Sequence, residues 1–320
     1  MRRFKFILNP QADRGHTARI MGTLEQLVVN QAQELGNGQV ELLWVETERP
    51  LHATSLAQRA AEEGYDIVVA VGGDGTVHEV VNGLMKIDTD RRPILGILPV
   101  GSGNDFAYNV GVPARVGEAI RCLFADNVRT VDVATITDGT GRTEYWDNTV
   151  GIGFSGAVNI AVRSIKRLRG FPLYLVGVLQ TILLKPPALK ALLAREGRPD
   201  EERWVSMISL CNGPREGGGF PVAPGARMDD GLLTYMVMNR LSRLQMLYFL
   251  PIVMGAKHLN YPQYFEQGTT MHFRIQADQA LAIHADGEVF GSWEANIRQV
   301  EVAVVPAALR VLCCKDLQLG

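Results

Sequence analysis

The chain has 320 residues, with 32 Lys and Arg against 34 Asp and Glu for a formal net charge of −2, and 47% of its residues are hydrophobic. That length and apolar share suffice for one or two well-buried domains and exclude disordered and fibrous classes. The near-zero sum gives a nucleic-acid partner no support, although a sum can hide a strongly charged segment.

The start, MRRFKFILNP, has too few apolar residues for a secretory segment and reads as a first strand. Strands and helices then alternate: strands at 4–8, 40–45, 66–71 and 94–98, and helices at 18–35, 51–63, 77–85, 104–109 and 116–125. The run 66–71 is apolar throughout and ends at Gly72-Gly73, as expected of a strand buried on both faces. This βαβα order predicts a parallel sheet with ligands at the carboxyl ends of its strands. After about Val128 the pattern changes to β-branched or alternating runs at 128–137, 144–150, 204–211, 232–238, 271–276, 281–285 and 297–305. Helical stretches interrupt them at 157–193 and 243–258, so a β-rich second domain is expected.

Cys122, Cys211, Cys313 and Cys314 form no CxxC pair, which argues against zinc and predicts buried reduced thiols. The longest mostly apolar stretch, 171–184, is shorter than the roughly 18 residues of a spanning helix. The expectation is a cytoplasmic protein that can still touch a membrane.

Candidate chemistry sits at the strand ends. Gly72-Gly73-Asp74-Gly75-Thr76 follows the buried strand and opens a helix, so its amides can cradle an anion. Asp74 in such a cradle calls for a cation or a proton beside it. Pro99-Val100-Gly101-Ser102-Gly103-Asn104-Asp105 follows the next strand, with Asn104 and Asp105 also explicable as helix caps. Asn9-Pro10, with Gly15 behind, closes the first strand, so three polar turns fall on one sheet edge.

Three patterns are decoys. Gly151-Ile152-Gly153-Phe154-Ser155-Gly156 matches GxGxxG, but the acidic residue a ribose needs about 20 positions later is missing. His78-Glu79 begins like HExxH, but Asn82 stands where the second zinc ligand belongs. GxxxxGK[ST] does not occur.

In the β-rich half, Asp229-Asp230-Gly231 reads as a tight turn able to meet a hard cation. Asp286-Gly287-Glu288, just after His284, is either a hairpin turn or a pair of carboxylates for taking a hydroxyl proton. The segment 148–195 contains no acid and seven cations, Arg163, Lys166, Arg167, Arg169, Lys185, Lys190 and Arg195, which leaves the rest of the chain at −9. Arg163, Lys166 and Arg167 share one helical face ahead of an aliphatic run, a pattern suited to an anionic membrane surface or simply to a solvated face beside a core helix. Aliphatic rather than aromatic neighbours make a nucleic-acid groove the poorer reading.

These motifs, from Asn9-Pro10 through GGDGTVHEVVNGL, LGILPVGSGNDFA, GIGFSGAV, GGGFPVAPGARMDDGLL and DGE, span nearly the whole chain in order. Together they resemble the diacylglycerol kinase catalytic-domain family in its bacterial lipid kinase branch. The resemblance implies an α/β nucleotide-binding domain over 1–127, with 306–320 returning to it, and a β-sandwich lipid domain over 128–305. It implies ATP and Mg²⁺, a lipid hydroxyl as acceptor, and a nucleotide site at Asn9, Pro10, Thr47, Gly72, Gly73, Asp74, Gly75, Thr76, Glu79, Ser102 and Asn104. Glu288, Asp286 and Asp74 would be catalytic, and Asp230 would hold magnesium with the carbonyls of Arg227 and Leu232. Two departures stand out: Ser102 where the family often has Thr, and Ser155 where it often has Asp. A soluble-substrate kinase of the NAD kinase type, which shares the GGDG turn, and a catalytically silent lipid- or nucleotide-binding regulator are the alternatives.

Overall fold

The architecture is that of a computed structural model, which describes residues 1–34, 40–165, 167–184 and 188–314. It contains two compact units: Met1–Val131 together with the stretch from Ala307, and Asp132–Pro306.

The first unit is α/β. Strands β1 (Arg2–Leu8), β2 (Val40–Glu46), β3 (Ile67–Gly72) and β4 (Ile94–Pro99) are all parallel and lie in the order β2-β1-β3-β4. Helices α1 (Ala12–Glu34), α2 (His52–Glu62), α3 (Asp74–Leu84), α4 (Asp105–Asn109) and α5 (Val116–Leu123) connect or follow them. Every residue of β3 is buried, which explains its unbroken apolar run. Leu8 pairs with Glu46 and Val71, and Gly72 with Pro99, so all four strands end at one edge. At the far side of the sheet, Val311 pairs in parallel with Leu95 of β4. Cys122 and Cys314 form a disulfide with Cα atoms 5.0 Å apart, contrary to the expectation of four reduced thiols. The pairing needs the folded-back terminal strand, which spacing in the sequence does not reveal.

The second unit is a β-sandwich-like domain. Its strands are β5 (Val128–Asp138, entering from the first unit), β6 (Thr143–Trp146), β7 (Thr149–Gly153), β8 (Leu189–Arg195), β9 (Glu201–Cys211), β10 (Leu233–Asn239), β11 (Phe265–Thr270), β12 (His272–Ala277), β13 (Ile283–Ala285), β14 (Glu288–Gly291) and β15 (Gln299–Leu312, leaving at Ala307). Helices α6 (Phe154–Val162), α7 (Gly170–Leu184) and α8 (Arg243–Met254) cover one face. β9 changes partners along its length, pairing with β8 over Glu201–Val205 and lying between β7 and β10 over Met207–Cys211. Ile208, Leu210, Leu233, Tyr235 and Val237 point into the sandwich, whereas Met207, Cys211, Met236 and Met238 pack under the helices with Phe249 and Phe265. β10 and the Val205–Cys211 part of β9 are therefore buried on both faces.

Two expected boundaries move. The helical stretch expected to run to 193 ends at Leu184, and β8 is a strand whose residues alternate between buried and partly buried. The single strand expected over 144–150 is broken into β6 and β7, because the amides of Asp147, Asn148 and Thr149 all turn to the Asp286 carboxylate.

Candidate functional site

In the first unit, the turns after β1, β3 and β4 meet at the shared strand edge. Asn9 braces two of them: its amide N–H donates to Val71 O (3.1 Å), its side chain donates to Thr76 Oγ1 (3.1 Å), and its Oδ1 accepts from Gln11 N–H (3.0 Å). Pro10 continues this turn, and Thr47 at the end of β2 donates its amide to Leu8 O. The glycine loops touch backbone to backbone. A Cβ on Gly101 would lie 2.2 Å from the Gly73 Cα, and one on Gly72 would lie 2.3 Å from Thr76 Oγ1. Gly73 and Gly75 flank Asp74 where α3 begins, and its first-turn amides point out of the helix end.

Asp74 has a structural task that the sequence did not show. Its Oδ1 accepts from the Phe106 N–H (3.2 Å) in the first turn of α4, and a Cβ on Gly103 would come within 2.5 Å of its Oδ2. The carboxylate thus joins the two loops, and part of what balances it is an amide. Asn104, the cap residue of α4, makes no side-chain capping bond. It adopts left-handed φ (58°) and closes its own loop, donating to Gly101 O (2.7 Å) and accepting from Gly101 N–H (3.2 Å). Ser102 is exposed at the tip of this loop. Glu79 turns the other way: its two oxygens accept the amides of Leu51 and Ala53, tying α3 to the start of α2.

In the second unit, Asp286-Gly287 is a two-residue hairpin with both residues at positive φ (48° and 83°), joining β13 to β14. Asp286 is buried and accepts three amides at 2.9 Å, from Asp147, Asn148 and Thr149. Glu288, two residues on, is exposed, and its Oε2 meets Arg163 Nη2 at 2.9 Å. The hairpin therefore separates the two carboxylates into an anchored one and an accessible one.

At the Asp229-Asp230-Gly231 turn, Asp230 Oδ1 accepts from the Leu232 N–H (3.0 Å), and Arg227 faces Asp229 (3.4 Å). Sequence reading missed Asp132, a buried carboxylate whose Oδ2 accepts the Gly231 amide (2.8 Å) and so holds the turn from β5. Among the described residues no group of three Asp, Glu, His or Cys is arranged to hold a metal ion. A cation at this turn would draw on the Asp230 carboxylate and backbone carbonyls, hard oxygens of the kind magnesium accepts.

The decoy glycines have a packing explanation. A Cβ on Gly151 would strike His284 Nε2 and Ser155 Oγ, one on Gly156 would strike Ala282 O at 2.2 Å, and Gly153 needs φ of +81°. They let α6 approach β13 closely and make no phosphate loop. His78 is buried in α3 with Asn82 one turn on, which leaves no zinc pair. Cys211 is buried, and burial first, then the Glu216 charge, push its thiol well up, as suits an inert group.

Of the seven cations in 148–195, Arg163 pairs with Glu288, Lys190 with Glu202 (2.6 Å), and buried Arg195 with Glu201 and Glu266. Acids from outside the segment thus neutralise three of the seven. Arg167 and Arg169 are exposed, and Lys166 and Lys185 lie outside the described residues. At the far end of α7 from Arg167 and Arg169, α7 and α8 expose Leu183, Leu184, Leu244 and Tyr248, with Arg243 Nη2 on Leu184 O (3.0 Å) linking the two helices. No helix among the described residues is long and apolar enough to cross a membrane.

This combination of parallel sheet, glycine turns and β-sandwich with a DGE hairpin matches known proteins along its length. Residues 3–136 match the diacylglycerol kinase catalytic domain, and residues 148–313 match the YegS C-terminal NAD kinase beta sandwich-like domain. A relative from Chromohalobacter salexigens named "Probable lipid kinase YegS-like" is 35% identical over 79% of this chain and 78% of its own. One of the same name from Citrobacter koseri is 30% identical over 79% and 81%. A crystal structure from Bacillus anthracis str. Sterne, named "a putative diacylglycerol kinase", superposes with TM-score 0.77 at 22% identity, covering 98% of this chain and 97% of that one, and supports the fold. The chain belongs to the diacylglycerol kinase family, in its YegS-like lipid kinase branch.

Proposed function

We propose that the protein transfers the γ-phosphoryl group of ATP, with Mg²⁺, to the hydroxyl of diacylglycerol or a related lipid at the cytoplasmic face of a membrane. The observation that carries the reading is the gathering of Asn9, Gly72–Thr76 and Gly101–Asn104 on one edge of the parallel sheet. In it, the amides of Gly73, Asp74 and Gly75 and the Ser102 hydroxyl hold the triphosphate, with Asn9, Pro10, Thr47, Thr76, Glu79 and Asn104 shaping or bracing the pocket. Asp74 keeps the two loops together and would be the carboxylate that helps hold magnesium with the nucleotide.

Glu288 accepts the proton of the lipid hydroxyl as its oxygen attacks the γ-phosphorus, and ADP leaves. Asp286, whose oxygens already accept three amides, anchors the hairpin and is the weaker candidate for the proton. A structural magnesium at Asp230, with the carbonyls of Arg227 and Leu232, would stiffen the turn that Asp132 holds. The exposed apolar side chains of α7 and α8, with Arg243 among them and the exposed Arg167 and Arg169 ahead of α7, meet an anionic bilayer without spanning it.

Incubation with γ-labelled ATP, Mg²⁺, a lipid extract and NAD tests the reading. Label in a lipid supports it. Label only in NADP establishes the soluble-substrate alternative, and ATP binding without transfer establishes the silent regulator.

A further inference from the structure

Beneath the DGE hairpin lies a buried polar chain made from three distant parts of the second unit. His284 on β13 is 2% exposed, and Ser155 in the first turn of α6 is 7% exposed. His284 Nε2 lies 2.7 Å from Ser155 Oγ, and Ser155 Oγ lies 2.9 Å from Glu216 Oε1 in the Gly/Pro-rich loop before β10. On the other side of the ring, Nδ1 faces the Gly287 N–H at 3.4 Å.

The direction of this chain follows from its ends. A backbone amide only donates, so Nδ1 must present its lone pair to Gly287. A neutral ring then carries its proton on Nε2 and donates to Ser155 Oγ, whose own hydrogen goes to the Glu216 carboxylate. Burial pushes the ring below its ordinary pKa, with the charges of Glu216 and Asp286 pulling partly back, which agrees with a neutral imidazole. Gly151 is part of the device, since a Cβ there would lie 2.2 Å from Nε2 and 2.4 Å from Ser155 Oγ. The Glu216 loop is closed by its bridge to Phe220, which stacks on Phe171 of α7 at 4.8 Å.

We infer that Glu216, Ser155 and His284 are positioning residues that set the His284 tautomer and, through the Gly287 amide, the aim of Glu288. The assignment rests on the reading of Glu288 as proton acceptor. It also gives Ser155, which departs from the Asp often found in the family, a defined role.

Two readouts test the relay. Imidazole ¹⁵N NMR of the full chain, with the His284 signals assigned by their loss in His284→Asn, should show a proton on Nε2; an Nδ1–H tautomer overturns the proposal. This readout does not depend on kinase activity, so it still decides if no lipid is labelled and the functional reading fails. Where a labelled lipid is found, His284→Asn keeps an oxygen where Nδ1 stood, whereas His284→Gln keeps a polar group only at the Nε2 position. His284→Asn should hold kcat within about 3-fold, and His284→Gln should lose roughly 10- to 100-fold, with KM for ATP unchanged in both. Ser155→Ala, which leaves the ring in place, should also lower kcat roughly 10-fold with KM for ATP unchanged, and it serves if His284→Gln does not fold. Equal losses in the two His284 variants, or a Ser155→Ala variant with wild-type kcat, would show a merely structural cluster.

Discussion

Arg163 at the end of α6 and Glu288 at the start of β14 meet at 2.9 Å across 125 positions of sequence. Both side chains are about half exposed, 54% and 52%, so the pair adds little to stability. Its value lies in holding the Glu288 carboxylate in place on an otherwise open hairpin. Arg163→Gln should lower kcat for lipid phosphorylation roughly 10-fold and leave the thermal midpoint where it is. Initial rates and calorimetry check this; a lowered midpoint with unchanged kcat would make the pair structural. Charge reversal at Arg163 is for the same reason a poor probe of membrane binding, for which Arg167, Arg169 and Arg243 are the better choices.

Asp286 anchors its hairpin through three amides, and hydrogen bonds to a charged acceptor contribute about 1.5–3 kcal/mol each. Asp286→Asn keeps one accepting oxygen and presents an NH₂ to donors. Hydrogen exchange at Asp147, Asn148 and Thr149 should accelerate by the equivalent of about 2–4 kcal/mol. Protection equal to wild type would mean that the carboxylate charge is not what holds this corner.

The contact of the two glycine loops predicts a local effect. Gly101→Ala puts a Cβ 2.2 Å from the Gly73 Cα, a backbone atom that cannot swing away. ATP affinity should fall at least about 10-fold, the cost of a displaced phosphate loop. Gly117→Ala, in α5 with nothing within 4 Å, should instead be neutral or stabilising by about 0.5–1 kcal/mol. Isothermal titration of both variants separates a specific contact from a general glycine effect.

The buried Arg195 is compensated by Glu266 (2.7 Å), which also receives Arg198 (2.8 Å) and Arg203 (2.5 Å). Burial pushes the Glu266 carboxyl up, but the Arg203 hydrogen bond and the charges of Arg203, Arg195 and Arg198 outweigh it and hold it below its ordinary value of 4.5. A depressed folded-state pKa contributes stability that is complete above the unfolded value and is lost as pH falls through the folded one. Glu266→Gln should therefore flatten the acid limb of the stability curve below about pH 4.5 and cost about 3 kcal/mol at neutral pH, since Arg195 stays buried. Urea unfolding at pH 7 and pH 3.5 measures both, and parallel curves for variant and wild type would refute it.

Much of the fold was legible because the apolar period is strong where strands are buried on both faces, as in β3. It failed at β8, whose Leu, Lys and Ala favour a helix until pairing with β9 and β12 overrides local propensity. It failed again at 147–149, where a carboxylate 137–139 residues away takes the amides. The motif residues of the candidate site were visible as glycine turns and short acidic patterns. Asp132, Glu216 and the role of His284 were not, since each acts through partners far along the chain. Arg163, Lys166 and Arg167 read as one helical face in a segment with seven cations and no acid. Yet α6 ends at Val162, and folding brings acids from outside the segment to Arg163, Lys190 and Arg195.

Transfer of label from γ-labelled ATP into lipid by wild type and by Glu288→Gln tests the central claim most directly, with ATP binding measured on both. The account predicts a labelled lipid from wild type and a rate lower by about 10²- to 10⁴-fold in the variant, with ATP bound equally well. A Glu288→Gln protein that labels lipid at the wild-type rate would contradict it.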